Sequence, residues 1–221
     1  MVMTLGEIRD YVRTHMDIEE EDLPDHVLDI FIREGSRKIE YSEQRWPYFE
    51  ASATLTTTPG MSAVPKSSVA SDIKEVASIT LDGRNLSWRS MEELQTYGQS
   101  MGWPRLFSEW GDNFHLWPIP DAEYQLLVRY YRRMRDWVSE GAGAVPDLPE
   151  ELHNTVAQWA LHRAYAQQED LEQAQVHRVI FDQELNEFGR RLTEMPLHRP
   201  LVMGGRGRTS RPRGRPRFDW E

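Results

Sequence analysis

Glu150 and His153 stand three residues apart and are the pair in this sequence that could bind a metal ion. A carboxylate and an imidazole at this helical spacing form half of a metal site, and a facing helix must supply the other half. The nearest candidate, Gln173-x-x-x-His177, has no carboxylate at the matching place. We therefore interpret Glu150 and His153 as the solvated start of a helix and expect no bound metal.

The sequence contains no recognisable enzyme signature. It has no G-x-S-x-G elbow, no phosphate-binding P-loop and no dinucleotide fingerprint, and the glycines within residues 204–207 neither follow a predicted strand nor open a helix. It also contains no cysteine, which excludes disulfides and thiolate zinc sites and is compatible with a reducing compartment. We expect no catalysis, no cofactor and no small-molecule substrate.

The C-terminal segment GGRGRTSRPRGRPRFDW, residues 204–220, could bind a polyanion. Pro212 to Pro216 read PRGRP, the core of the AT-hook, a peptide that lies in the minor groove of A·T-rich DNA. Arg213 and Arg215 flank Gly214, which lets the backbone lie flat in a narrow, electronegative groove, so these three are the candidate DNA contacts. A single hook makes few phosphate contacts, and we expect it to bind weakly at physiological salt.

Charge separates this segment from the rest of the chain. Residues 201–221 carry six arginines against two carboxylates, whereas the other 200 residues hold 20 basic and 34 acidic side chains. Because an acidic body repels nucleic acid, only the tail is suited to bind it. The sequence has no basic-then-apolar leader and no run near the ~20 apolar residues that cross a bilayer, so we expect neither export by such a signal nor membrane insertion.

The predicted elements run in the order helices, strands, helices, tail. Capping boxes at Thr4–Glu7 and Ser90–Glu93 predict helix starts, and Pro24 suits the first position of a second helix. Short β-branched runs closed by turn dipeptides, such as VASITL before Asp82-Gly83, predict five or six strands. We expect an α+β protein in which a bundle of N- and C-terminal helices carries an inserted small antiparallel β sandwich or barrel, followed by an extended tail.

The predicted boundaries are residues 1–49 for the N-terminal helices, 50–140 for the β domain, 147–195 for the C-terminal helices and 196–221 for the Arg-rich tail. The C-terminal helices are expected to break near Glu169-Asp170. Tryptophans are concentrated in the β region, and a large rigid ring is common both in cores and at interfaces. We take Trp103, Trp110 and Trp117 as a candidate assembly surface, with core packing as the alternative for each.

Residues 103–153 carry a pattern that resembles a known family. The order is W-P-x-x-F, then G-D-x-F-x-L-W-P-I-P-D-A-x-Y-x-L-x-V-R-Y-Y-R-R, then P-D-L-P-E-E-L-H, and the N-terminal helices end in R-W-P-Y-F. This arrangement is similar to the head-to-tail adaptor, or connector, proteins of tailed bacteriophages, a group that includes the podoviral tail tubular protein A. The similarity covers about residues 4–195.

The resemblance implies a structural protein of the virion that is assembled in the host cytoplasm. Such adaptors form homo-oligomeric rings, typically twelvefold, which dock beneath the portal protein, lengthen the channel for genomic DNA and present a platform for the next tail or stopper protein. It also implies that the C-terminal extension reaches the portal. The candidate docking residues there are Arg206, Arg208, Arg211, Arg213, Arg215, Arg217, Phe218 and Trp220. The alternative is a DNA-binding accessory protein that acts through this tail.

Overall fold

The structure, a computed structural model, describes residues 2–194 of the 221-residue chain. The expected tail, residues 196–221, lies outside the described residues. Within them the protein is α+β, with helices at both ends of the sequence and two small sheets between them. The predicted fold class is confirmed for this part of the chain, while the domain boundaries within it stay a prediction.

In the described part of the chain, four long helices form the bundle: α1 (Leu5–Met16), α2 (Asp25–Ser42), α4 (His153–Gln167) and α5 (Leu171–Glu194). The box predicted at the start of α1 is present, because Thr4 N–H donates to Glu7 Oε2 at 2.7 Å and Glu7 N–H donates to Thr4 Oγ1 at 3.3 Å. Pro24 is the cap residue of α2 rather than its first helical residue. The predicted break between α4 and α5 is confirmed.

All four helices contribute to one hydrophobic core. Leu5, Ile32 and Leu161 are fully buried in it. At the crossing of α2 and α4, Gly35 lies against Trp159, and a Cβ added at position 35 would come within 2.9 Å of the Trp159 Cβ. Only a glycine lets the two helices approach this closely. Leu171, which the apolar spacing places on the core face of α5, is instead 71% exposed.

Within residues 2–194, eight strands form two four-stranded sheets. They are β1 (Glu50–Thr56), β2 (Ala63–Pro65), β3 (Ile73–Leu81), β4 (Arg84–Asn85), β5 (Ser87–Trp88), β6 (Leu106–Trp110), β7 (Asn113–Trp117) and β8 (Gln125–Arg132). The first sheet has the order β1-β8-β3-β4 and the second has β2-β7-β6-β5. Inward residues of both sheets share a second core, with Val128 from the first and Phe114 from the second, so the β part is a sandwich.

The predicted hairpin at Asp82-Gly83 is present between β3 and β4, and both turn residues have positive φ. The chain then leaves the first sheet at Leu86, and β5 joins the second sheet beside β6 in parallel. The expectation of a purely antiparallel sandwich is wrong at this pair. A two-residue hairpin dictates antiparallel pairing only for its own strands, whereas β5 pairs with a strand that begins 18 residues later, after the short helix α3 (Met91–Thr96).

Candidate assembly surfaces

His153 is engaged by the protein itself. Met3 N–H donates to its Nδ1 at 3.0 Å, so the proton lies on Nε2, which donates to the Leu148 carbonyl at 3.2 Å. The side chain is buried, and this burial lowers the pKa of His153 below its ordinary value. A neutral imidazole with both nitrogens occupied has no lone pair for a metal. The interpretation of this pair as a solvated helix start is therefore wrong for His153, which is buried and holds the segment before α4 to Met3. Within residues 2–194 no group of three or more acidic or histidine side chains is placed to hold a metal ion.

The tail candidates cannot be located in the structure. All eight docking residues, from Arg206 to Trp220, and the proposed DNA contacts Arg213, Gly214 and Arg215 lie outside the described residues. Their roles stay predictions.

The three tryptophans of the candidate assembly surface differ in accessibility. Trp110, the last residue of β6, is 66% exposed. Trp103 is half-buried against the sandwich core, with the Arg84 guanidinium 6.0 Å from its ring centre. Trp117 is half-buried, since its ring lies 4.9 Å from that of Tyr97 and its N–H donates to the Gly98 carbonyl at 3.1 Å. Trp110 therefore offers most of its ring to a partner, and the other two offer less.

Trp88, which the candidate surface omits, is 57% exposed at the end of β5. Trp88 ends β5 beside Phe107, whereas Trp110 lies three residues further along at the end of β6, so the two tryptophans lie on neighbouring strands at different levels of the second sheet. Sequence spacing could not identify Trp88, since Leu86, two residues before it, is buried and strand alternation would place both on one face. By contrast, Trp137 is fully buried and belongs to the helical core.

Ion pairs and hydrogen bonds join the sandwich to the helices. Arg132, the last residue of β8, donates from Nη1 and Nη2 to the two carboxylate oxygens of Asp147, at 2.6 and 2.9 Å. The hydrogen bond to Asp147 raises the pKa of Arg132. Burial alone would raise the pKa of Asp147, but the hydrogen bonds that Asp147 accepts from Arg132 and from the Arg135 N–H outweigh this effect. The pKa of Asp147 is therefore lowered. Both side chains are largely buried, which makes this clamp a fixed link between the two parts.

A second link lies at the C-terminal end of α2. The Lys74 ammonium, on β3, donates to the carbonyls of Glu40 at 2.8 Å and Glu43 at 3.1 Å. Because these are carbonyls of the last helical turn and its cap, the cation also meets the negative end of the helix dipole. The sandwich is thus held to both α2 and the segment before α4, so surfaces on the two parts have a defined relation.

The comparison with protein families matches the SU10 adaptor protein family over residues 3–204, which includes the helical bundle and the sandwich. The chain belongs to the SU10 adaptor protein family. Membership confirms the resemblance to phage head-to-tail adaptors and supports a structural role for this SU10 adaptor protein at the head–tail junction of the virion. The narrower similarity to tail tubular protein A stays a prediction. A search of the curated proteins gives no match.

The adaptor has no helix within residues 2–194 that combines the length and the apolarity needed to cross a membrane. The family is one of structural proteins and is not known for an enzymatic activity.

Proposed function

We propose that this adaptor forms a dodecameric ring at the phage head–tail junction, docks on the portal protein through its C-terminal tail, extends the DNA channel and presents a platform for the next tail or stopper protein. The observation that carries the proposal is the family match over residues 3–204, because it covers the whole described body rather than one motif. The subunit is made in the host cytoplasm and acts in the virion.

The charge of the body supports a channel that DNA passes without binding. The first 200 residues hold 20 basic and 34 acidic side chains, so a ring of such bodies repels the phosphate backbone. On α1 two basic side chains are also neutralised locally: Arg9 pairs with Asp25 and Asp29, at 2.7 Å each, and Arg13 pairs with Asp25 at 2.6 Å. Contact with the passing genome is left to the tail.

Exposed tryptophans support self-association through the sandwich. Trp88 and Trp110 lie on the neighbouring strands β5 and β6, and each leaves more than half of its surface accessible. Burial of such rings against a neighbouring subunit contributes strongly to association because few rotatable bonds are ordered. We assign Trp110 the central place in this contact, with the accessible edges of Trp103 and Trp117 at its rim.

Tail docking rests on composition. The arginines at 206, 208, 211, 213, 215 and 217 suit carboxylates of a portal, and Phe218 and Trp220 supply apolar anchors. Twelve tails that bind one portal together multiply weak contacts through effective concentration.

Electron microscopy of the full-length protein, with and without purified portal complexes, tests the proposal. We expect rings, either alone or on portals, and we expect Trp110→Ala to weaken ring association by about tenfold or more. Leu171→Ala is the matched control, because Leu171 is equally exposed but lies on α5. A stable monomer that never associates with portal particles would refute the proposed function.

The rival function is a DNA-binding accessory role through Pro212 to Pro216. It requires salt-sensitive binding with a preference for A·T-rich duplexes that is lost on Arg213→Ala and Arg215→Ala. A gel-shift comparison of full-length protein with this double variant separates the two functions, since ring formation by the body needs neither arginine. Equal shifts for the two proteins would eliminate the rival.

A further inference from the structure

A groove of about 620 Å³ runs between α1 and the segment that starts α4. Its apolar floor is formed by Met3 and Tyr11, both half-buried and packed against the helical core. The carboxylates of Glu7, Asp10 and Glu151 stand along it. A groove with this lining fits a segment that presents aromatic rings to the floor and cations to the rim.

The acidic side of α1 follows from helical spacing. Glu7, Asp10 and Thr14 recur at intervals of three and four and face the groove, whereas Arg9 and Arg13 point to α2, where both pair with Asp25. Within the part of the chain that the structure describes, Asp10 forms no ion pair. The groove therefore keeps a negative potential that its neighbouring arginines do not cancel.

The chain itself contains a segment with the matching chemistry. Residues 204–220 combine six arginines with Phe218 and Trp220. We propose that this tail docks in the α1–α4 groove of its own subunit before assembly, with its aromatic rings over Met3 and Tyr11 and its arginines on the rim. The proposal goes beyond portal docking, because it assigns the tail a second binding site, from which the portal must displace the tail.

Reach favours the subunit's own groove. Asn154 at the groove donates to Glu184 of α5 at 2.7 Å, so the groove lies about ten residues, or roughly 15 Å of helix, before Glu194. The 24 residues from 195 to Phe218 can span up to about 80 Å. A tethered segment of this length meets its own groove at an effective concentration near the millimolar range, above that of any other subunit in dilute solution.

Docking in the groove has a functional consequence. Arginines on the rim are withheld from nucleic acid, so the unassembled subunit would not bind host DNA through a cationic arm. A portal that offers more carboxylates or a deeper apolar pocket then binds the tail more tightly, and the tail moves from the groove to the portal. Portal binding of the tail is weakened by the free energy that the tail loses when it leaves the groove.

Disulfide trapping in the full-length chain tests this contact, because the protein has no native cysteine. One variant carries Thr14→Cys in the groove and Gly214→Cys in the tail; the control carries Met61→Cys, which is 53% exposed on the β part, with the same tail cysteine. We expect an intramolecular disulfide to form about tenfold faster in the groove variant. Because Thr14 and Met61 also differ in their distance from the end of α5, the charge variant below, which keeps the groove cysteine in place, separates docking from distance. Intact mass and non-reducing gels measure the product.

Adding Asp10→Asn and Glu151→Gln to the groove variant should slow its disulfide formation to about the rate of the control variant, because the rim then loses charge. High salt should have the same effect, because it screens that charge. Equal rates for groove and control would refute the docking. A disulfide-linked dimer in place of the intramolecular product would refute it too, because the tail would then occupy a second copy. Ring formation and portal binding are measured on the cysteine-free protein, so failure of this contact is distinguishable from failure of the proposed function.

Discussion

Replacement of Asp147 by asparagine tests the clamp between the sandwich and the helices. The Asp147 side chain is 11% exposed and accepts two bonds from Arg132 and one from the Arg135 N–H. Asparagine keeps the shape and one acceptor oxygen but removes the charge, which leaves a guanidinium that is 23% exposed without its counter-ion. Loss of one member of a buried pair costs about 3–5 kcal/mol, and residual solvent contact of Arg132 reduces this to about 2–3 kcal/mol.

The assay is urea unfolding of the full-length protein at pH 7, followed by circular dichroism. Glu140→Gln is the control, because Glu140 lies 3.6 Å from the same Arg135 but is 49% exposed, and its removal should change the free energy of unfolding by less than about 0.5 kcal/mol. If Asp147→Asn also stayed within that margin, the clamp would contribute nothing and the reasoning from burial and geometry would be wrong.

The same pair has a defined pH dependence. The folded-state pKa of Asp147 lies below its ordinary value, so its contribution is fully present above about pH 4 and is lost as the pH falls through the lower folded value. The difference in unfolding free energy between wild type and Asp147→Asn should therefore hold from neutral pH to about pH 4 and shrink in stronger acid. A difference that disappeared already near pH 6 would point to another group.

Two further predictions concern the helical core. Burial lowers the pKa of both His153 and His177, so protonation of these side chains favours the unfolded state. The free energy of unfolding should therefore fall as the pH drops below about 6.5. Thermal unfolding at pH 7.5 and pH 5 measures this change, and an unchanged midpoint would contradict it. Gly35→Ala should destabilise by about 1–3 kcal/mol because the new Cβ meets Trp159, whereas Gly189→Ala, with open space around its Cβ, should be neutral or stabilising. Equal effects of the two alanines in denaturant unfolding would refute the close approach.

Much of the fold could be predicted because the residues that start its helices and form its turns are close together in the sequence. The boxes at Thr4 and Ser90 act within a single helical turn, and the Asp82-Gly83 turn acts within four residues. The parallel pairing of β5 with β6 could not be predicted, since no short-range signal specifies it. The same limit applied to the candidate surface: tryptophan content suggested that some rings are accessible, but not that Trp88 is one of the exposed ones.

By itself, the sequence determined the order of helices and strands, the acidic body with its cationic tail, and the resemblance to phage adaptors, because each depends on residue identity and short spacing. Tertiary structure decided which aromatic rings are accessible. Trp110 is 66% exposed and Trp137 is fully buried, although residue type alone does not distinguish them. It also decided that β1 pairs with β8, from Thr56 with Gln125 to Glu50 with Tyr131, and that α1 and the segment that starts α4 line an acidic groove. Exposure and enclosure depend on what packs against a residue from elsewhere in the chain, and only the assembled fold supplies those neighbours.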